Sequence, residues 1–177
     1  PRSTTTADSP LNVSNGYAHA LLQDERVLMS APFPRPGTGQ NGLVYVCSST
    51  NSGMFGGFAC EETIEAPSVE NSAINYFGYT LAVGADFLVV GALGDPTAGY
   101  AENGIYIFRA NESDDGPSYS HVQTINDTTA EVQGARFGFS VAIAGDQVLI
   151  GVKVPGQDAT FQGEVWRFDR VRTIGGP

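Results

Sequence analysis

The apolar positions of this chain fall in short runs separated by Gly, Asp, Asn and Pro. Phe77-Gly78-Tyr79-Thr80-Leu81-Ala82-Val83 alternates as a half-buried strand does. Gly84-Ala85-Asp86 follows, a sequence suited to a tight hairpin. Phe87 to Ala92 is then continuously apolar, the pattern of a strand covered on both faces. The same order returns at Phe137-Gly138-Phe139-Ser140-Val141-Ala142-Ile143, Ala144-Gly145-Asp146 and Val148 to Val152. A weaker copy precedes both: Gly16-Tyr17-Ala18-His19-Ala20-Leu21, then Asp24, then Val27-Leu28-Met29-Ser30-Ala31-Pro32. It has one extra residue at the turn and lacks the leading Phe. Leu21 to Arg26 has the composition of a helical turn, but its place in the repeat makes it strand and turn.

The downstream half repeats as well. Val44-Tyr45-Val46, Ile105-Tyr106-Ile107 and Val165-Trp166-Arg167 align, each shortly after a glycine (Gly42, Gly104, Gly163). A last strand ends in Thr63-Ile64, Thr124-Ile125 and Thr173-Ile174, the third copy being shortened. Four short strands at a fixed period are the signature of a propeller blade. The sequence therefore predicts an all-β fold of three four-stranded antiparallel β-propeller-like blades, over 16–65, 77–125 and 137–174. An extended N-terminal arm, 1–15, precedes them.

The pattern F-G-x-[ST]-[LV]-A, then Asp, then V-x-[IV]-G-[AV], then G-x-[VI]-[YW] resembles the FG-GAP repeat of integrin-α-type β-propellers. The resemblance covers about residues 15–174, and is weaker in the first unit. It implies blades around an axis and an extracellular adhesion or recognition role, and it implies no catalysis. Many such blades carry a calcium loop between their first two strands, with oxygen ligands at alternating positions. Here that loop holds one carboxylate, Asp86 or Asp146, so no metal site is carried over. Each Asp is read as accepting backbone N–H groups in its turn. The blade number also departs from the family. Closed propellers use about four to eight blades, and terminal sheet faces left bare are costly. Three readings follow: a piece of a longer propeller, two chains pairing to six blades, or head-to-tail stacking into a fibre. The arm, with Leu11 and Val13, is competent to add a strand to a neighbouring sheet edge.

Composition narrows the function. The chain is 41% hydrophobic and 16% charged, as packed proteins are. Its net charge of −10, with nine Lys and Arg thinly spread, argues against nucleic acid. No apolar stretch is long enough to span a membrane. The chain opens at Pro1 without Met, as a mature or trimmed product does. Cys47 and Cys60 flank a short loop and are read as a disulfide, the alternative being two buried thiols. Three N-glycosylation sequons start at Asn12, Asn111 and Asn126. The Ser/Thr/Pro-rich opening, PRSTTTADSP, reads as an O-glycosylated stalk or as an unmodified polar tail. Together these place the protein outside the cell, secreted or at its surface.

Catalytic patterns are sparse. Gly37-Thr38-Gly39-Gln40-Asn41-Gly42 fits G-x-G-x-x-G but follows three prolines and leads into a strand, so it is a loop rather than a dinucleotide site. His19 and His121 have no second His or Cys at metal spacing, and no G-x-S-x-G, H-E-x-x-H or P-loop occurs. Neither cofactor nor catalytic residue is assigned. Tyr45, Tyr106 and Trp166 share one repeat position, which is that of a core aromatic or of a carbohydrate-stacking ring. Tyr106, Trp166 and Phe55 are the candidate ligand or partner contacts. The expected function is a non-enzymatic extracellular glycoprotein module acting by protein–protein contact, with other copies of itself as partners in an assembly or fibre. The alternative is an adhesion or glycan-binding propeller fragment of a cell-surface protein.

Overall fold

The computed structural model describes residues 17–22, 25–33, 41–50, 57–67, 75–94, 104–111, 118–126, 136–145, 147–155 and 161–169. The described residues are all-β and form three antiparallel sheets. Sheet 1 runs in the order β1 (His19–Leu21), β2 (Val27–Ala31), β3 (Leu43–Thr50), β4 (Gly57–Glu65). Sheet 2 runs β5 (Asn75–Val83), β6 (Phe87–Gly94), β7 (Gly104–Asn111), β8 (Ser118–Asn126). Sheet 3 runs β9 (Arg136–Ala144), β10 (Gln147–Pro155), β11 (Phe161–Asp169). The N-terminal arm and the fourth strand expected at Thr173-Ile174 lie outside the described residues.

Successive sheets pack face against face. Leu28, Val44, Val46 and Ile64 of sheet 1 form one core with Phe77, Leu88, Val90, Ala92, Tyr106 and Phe108 of sheet 2. Val89 and Ile105, on the opposite face of sheet 2, form a second core with Phe137, Ile150 and Val152 of sheet 3. Neighbours along a strand point to opposite faces, so β6 must be apolar throughout: both its faces are covered. A fully buried Val or Leu contributes about 1.5–3 kcal/mol, and β6 collects this from two cores. β10 departs from its sequence expectation. Ile150 and Val152 are buried against sheet 2, but Leu149 and Gly151 on the other face are only half-buried. No described sheet covers that second face.

Two irregularities recur and explain the motif. In β5, Phe77 pairs with Ala92 and Thr80 with Gly91, so Gly78 and Tyr79 are extra residues in the ladder. In β9, Phe137 pairs with Val152 and Ser140 with Gly151, leaving Gly138 and Phe139 extra. Gly78 and Gly138 have φ of 89° and 85°, in the region where a Cβ clashes with its own backbone. The F-G-x-[ST] of the second and third units is thus a bulge that a glycine makes accessible. The Phe ahead of it, Phe77 or Phe137, is buried in the core shared with the preceding sheet.

The second irregularity lies between strands three and four. The register shifts at Val46/Cys47 in sheet 1 and at Ile107/Phe108 in sheet 2. It sets Cys47 opposite Cys60, and Phe108 opposite His121. Both cysteines lie within strands and are joined by a disulfide. Sheet 2 has an aromatic contact at the same place, with the Phe108 and His121 rings 5.6 Å apart.

Candidate functional site

Among the described residues, several polar contacts sit where one sheet meets the next. At the junction of sheets 2 and 3, the Thr80 hydroxyl donates to the Gly138 carbonyl at 3.0 Å. Gly91 leaves room for both groups. A Cβ there would stand 2.1 Å from the Thr80 hydroxyl and 2.7 Å from the Gly138 oxygen. At the junction of sheets 1 and 2, a Cβ on Gly78 would meet Ser30 at 3.0 Å and Val44 at 3.2 Å. The strand pairing makes Ser30 the counterpart of Gly91, and Ala18 the counterpart of Thr80. The hydroxyl has changed strands. Ser30 Oγ accepts from the Ala18 N–H at 2.9 Å and donates to the Ala18 carbonyl at 3.2 Å, so this buried polar group is satisfied.

Tyr79 and Phe139, the variable residues of the two bulges, form a row with Tyr17 across the three sheets. Tyr17, Tyr79 and Phe139 follow one another, with ring centroids 4.9 Å and 6.0 Å apart. Phe33 and Tyr76 continue the row beyond Tyr17, at 5.3 Å and 5.2 Å between successive rings. Lys153 ends it, with its ammonium 5.3 Å from the centroid of Phe139. Tyr17 is 46% exposed. Its hydrogen bond to the Tyr79 side chain, reinforced by partial burial, pushes its pKa up to about 12, with Arg136 opposing. The repeat contains this aromatic column as well: the residue after the glycine is Tyr17, Tyr79 and Phe139 in the three units.

The outer faces of the stack differ from its interior. Val165 occupies in sheet 3 the place that Ile105 occupies in sheet 2, opposite Gly151 and Gly91 respectively. Ile105 is completely buried, whereas Val165 is 73% exposed. Phe139, Ser140, Gly151, Lys153, Glu164 and Val165 line a shallow groove on this face.

The residues singled out from the sequence separate clearly. Tyr106 is 4% exposed, and its ring meets Phe77 edge-on at 5.4 Å, so it is a core residue and not a contact. The cause is its alternation in β7, which points it into the core between sheets 1 and 2. Tyr45 is likewise buried. Trp166 is half-buried against the second core, its ring on Phe137 at 5.8 Å, and its indole N–H donates to Glu164 at 3.1 Å. Phe55 and Asn12 lie outside the described residues, whereas Phe58 is 54% exposed. Asn111 ends β7 and its amide donates to Ser120 Oγ. Asn126 ends β8 and is exposed. The hairpin at Asp86 is closed by its backbone: Gly84 N–H donates to the Phe87 carbonyl at 2.8 Å, and Ala110 N–H to the Asp86 carbonyl at 2.9 Å. Asp146 and residues 37–40 lie outside the described residues. Among the described residues, no group of three His, Cys, Asp or Glu side chains is placed to hold a metal ion. No helix there is long and apolar enough to cross a membrane. No protein-family model matches the chain, and its sequence matches no curated protein.

Proposed function

We propose that this protein is a non-enzymatic, extracellular glycoprotein module that works by protein–protein contact, as a structural subunit of an assembly built largely from copies of itself. In this reading its three sheets are FG-GAP-type propeller blades. The observation that carries it is the pair Ile105 and Val165: one repeat position, sealed in sheet 2 and open in sheet 3. A protein whose recurring sheet ends on an uncovered face is suited to receive another sheet. The disulfide, the sequons at Asn111 and Asn126 on strand ends, and the acidic surface fit an extracellular setting. Analytical ultracentrifugation of the secreted, glycosylated chain tests the reading. It requires species larger than one chain, and intact mass must fall on enzymatic glycan removal. A monomer at every concentration with no glycan mass would reject it.

The aromatic row favours a second reading, an adhesion fragment that binds glycans across Tyr17 and Tyr79. Binding on a glycan array that is lost in Tyr79→Ala, with no self-association of the chain, would put this reading first.

A further inference from the structure

We infer that the chain joins head to tail with a second copy of itself, the outer face of sheet 3 receiving the outer face of sheet 1. This rests on the assembly reading above and names the contact.

The argument begins from what an internal junction contains. On the donating side, the first strand of a sheet presses two apolar side chains onto the preceding sheet. Leu81 and Val83 of β5 pack into the core shared with sheet 1, and Val141 and Ile143 of β9 into the core shared with sheet 2. On the receiving side, a buried β-branched residue beside the bulge site closes the contact: Val44 in sheet 1 and Ile105 in sheet 2, each fully buried. Both junctions inside the chain use this pairing.

The two ends of the stack each carry one unused half. The counterparts of Leu81 and Val83 in β1 are His19 and Leu21. His19 is exposed and Leu21 is 77% exposed. The strand register places Leu21 beside Val27 and His19 beside Met29, on the face away from sheet 2. The counterpart of Val44 and Ile105 in β11 is Val165, at 73% exposure. These are the two most exposed large hydrophobic side chains among the described residues. They lie on opposite outer faces, in the roles of donor and receiver.

The roles of donor and receiver select the pairing of faces. Among the described residues, the outer face of sheet 3 carries the receiving Val165 and no apolar pair of the donating kind, and Lys153, Arg167 and Asp169 stand around it where sheet 2 has Leu93, Ile107 and Arg109. The outer face of sheet 1 carries the donating Leu21. Ala31, Tyr45 and Cys47 are already buried on that side of sheet 1, so contact falls on β1. A contact between two different faces is heterologous, and closes into a ring or propagates as a filament.

The test uses the full glycosylated chain and two variants, Leu21→Glu and Val165→Glu. Each removes one half of the junction and leaves the other intact. Each variant alone sediments as a single chain at concentrations where the unsubstituted protein assembles. Mixed one to one, they form a two-chain species and nothing larger, because only one functional junction remains. Far-UV circular dichroism checks folding, and Leu21→Ser with Val165→Ser carries the test where a glutamate variant loses its β signal. If both variants assemble as the unsubstituted chain does, or if the mixture stays monomeric, the junction is wrong while self-assembly stands. If the unsubstituted chain is itself monomeric throughout, the broader reading falls with it.

Discussion

A single methyl group decides whether two of these sheets can meet. Gly91 is apolar and sits in a continuous apolar strand, yet alanine does not fit there, because the Thr80 hydroxyl and the Gly138 carbonyl occupy the space. Gly91→Ala is expected to cost about 1–3 kcal/mol in chemical denaturation, the range for overpacking a close contact. Gly91→Ser should cost at least as much alone. Combined with Thr80→Ala it should recover part of the loss, since Ala18 and Ser30 already hold that arrangement in sheet 1. A double-mutant cycle that shows no coupling would refute the shared-hydroxyl account. Tyr17 gives a second residue-scale expectation. Its folded pKa is raised, so its contribution to stability is whole below pH 10 and is lost as pH rises toward 12. Stability should fall over that window, and Tyr17→Phe should flatten the slope.

At the scale of the element, the sheets differ in how they are fastened. Sheet 1 is joined between β3 and β4 by the Cys47–Cys60 disulfide, where sheet 2 uses the Phe108–His121 ring contact. Closing so short a loop stabilises by about 3 kcal/mol in the chain-entropy model. Reduction should lower the denaturation midpoint accordingly, whereas His121→Ala should have a smaller effect, read in the same assay. The F-G-x-[ST] element was legible from sequence as a recurring unit. Its geometry was not, because a bulge is defined by pairing with the neighbouring strand, here β6 or β10. The same holds for the aromatic columns. Tyr106 and Tyr79 both stand at repeated positions, but only packing shows that one enters the core and the other joins the surface row.

For the whole molecule, the middle sheet holds the other two. Leu88 lies in the core between sheets 1 and 2, whereas Leu149 lies on the far side of sheet 3, half-buried. Leu88→Ala is expected to cost about 2–5 kcal/mol, and Leu149→Ala less than about half of that. Equal losses in thermal or denaturant unfolding would mean that sheet 3 is covered in solution. That outcome would place a partner on the face where Val165 is exposed.

The sequence by itself determined the all-β class, the hairpins and the recurring motif, and it set Cys47 and Cys60 either side of a short loop without choosing between a disulfide and two thiols. These depend on alternation, turn glycines and local spacing, all of which act over a few residues. Only the tertiary structure decided which faces are covered. Val148 to Val152 and Phe87 to Ala92 are alike as strings, yet β6 has a sheet on either side and β10 has one. Alternation shows that adjacent side chains point apart. It carries no information about what stands opposite them, and that is set by contacts between residues about sixty positions apart.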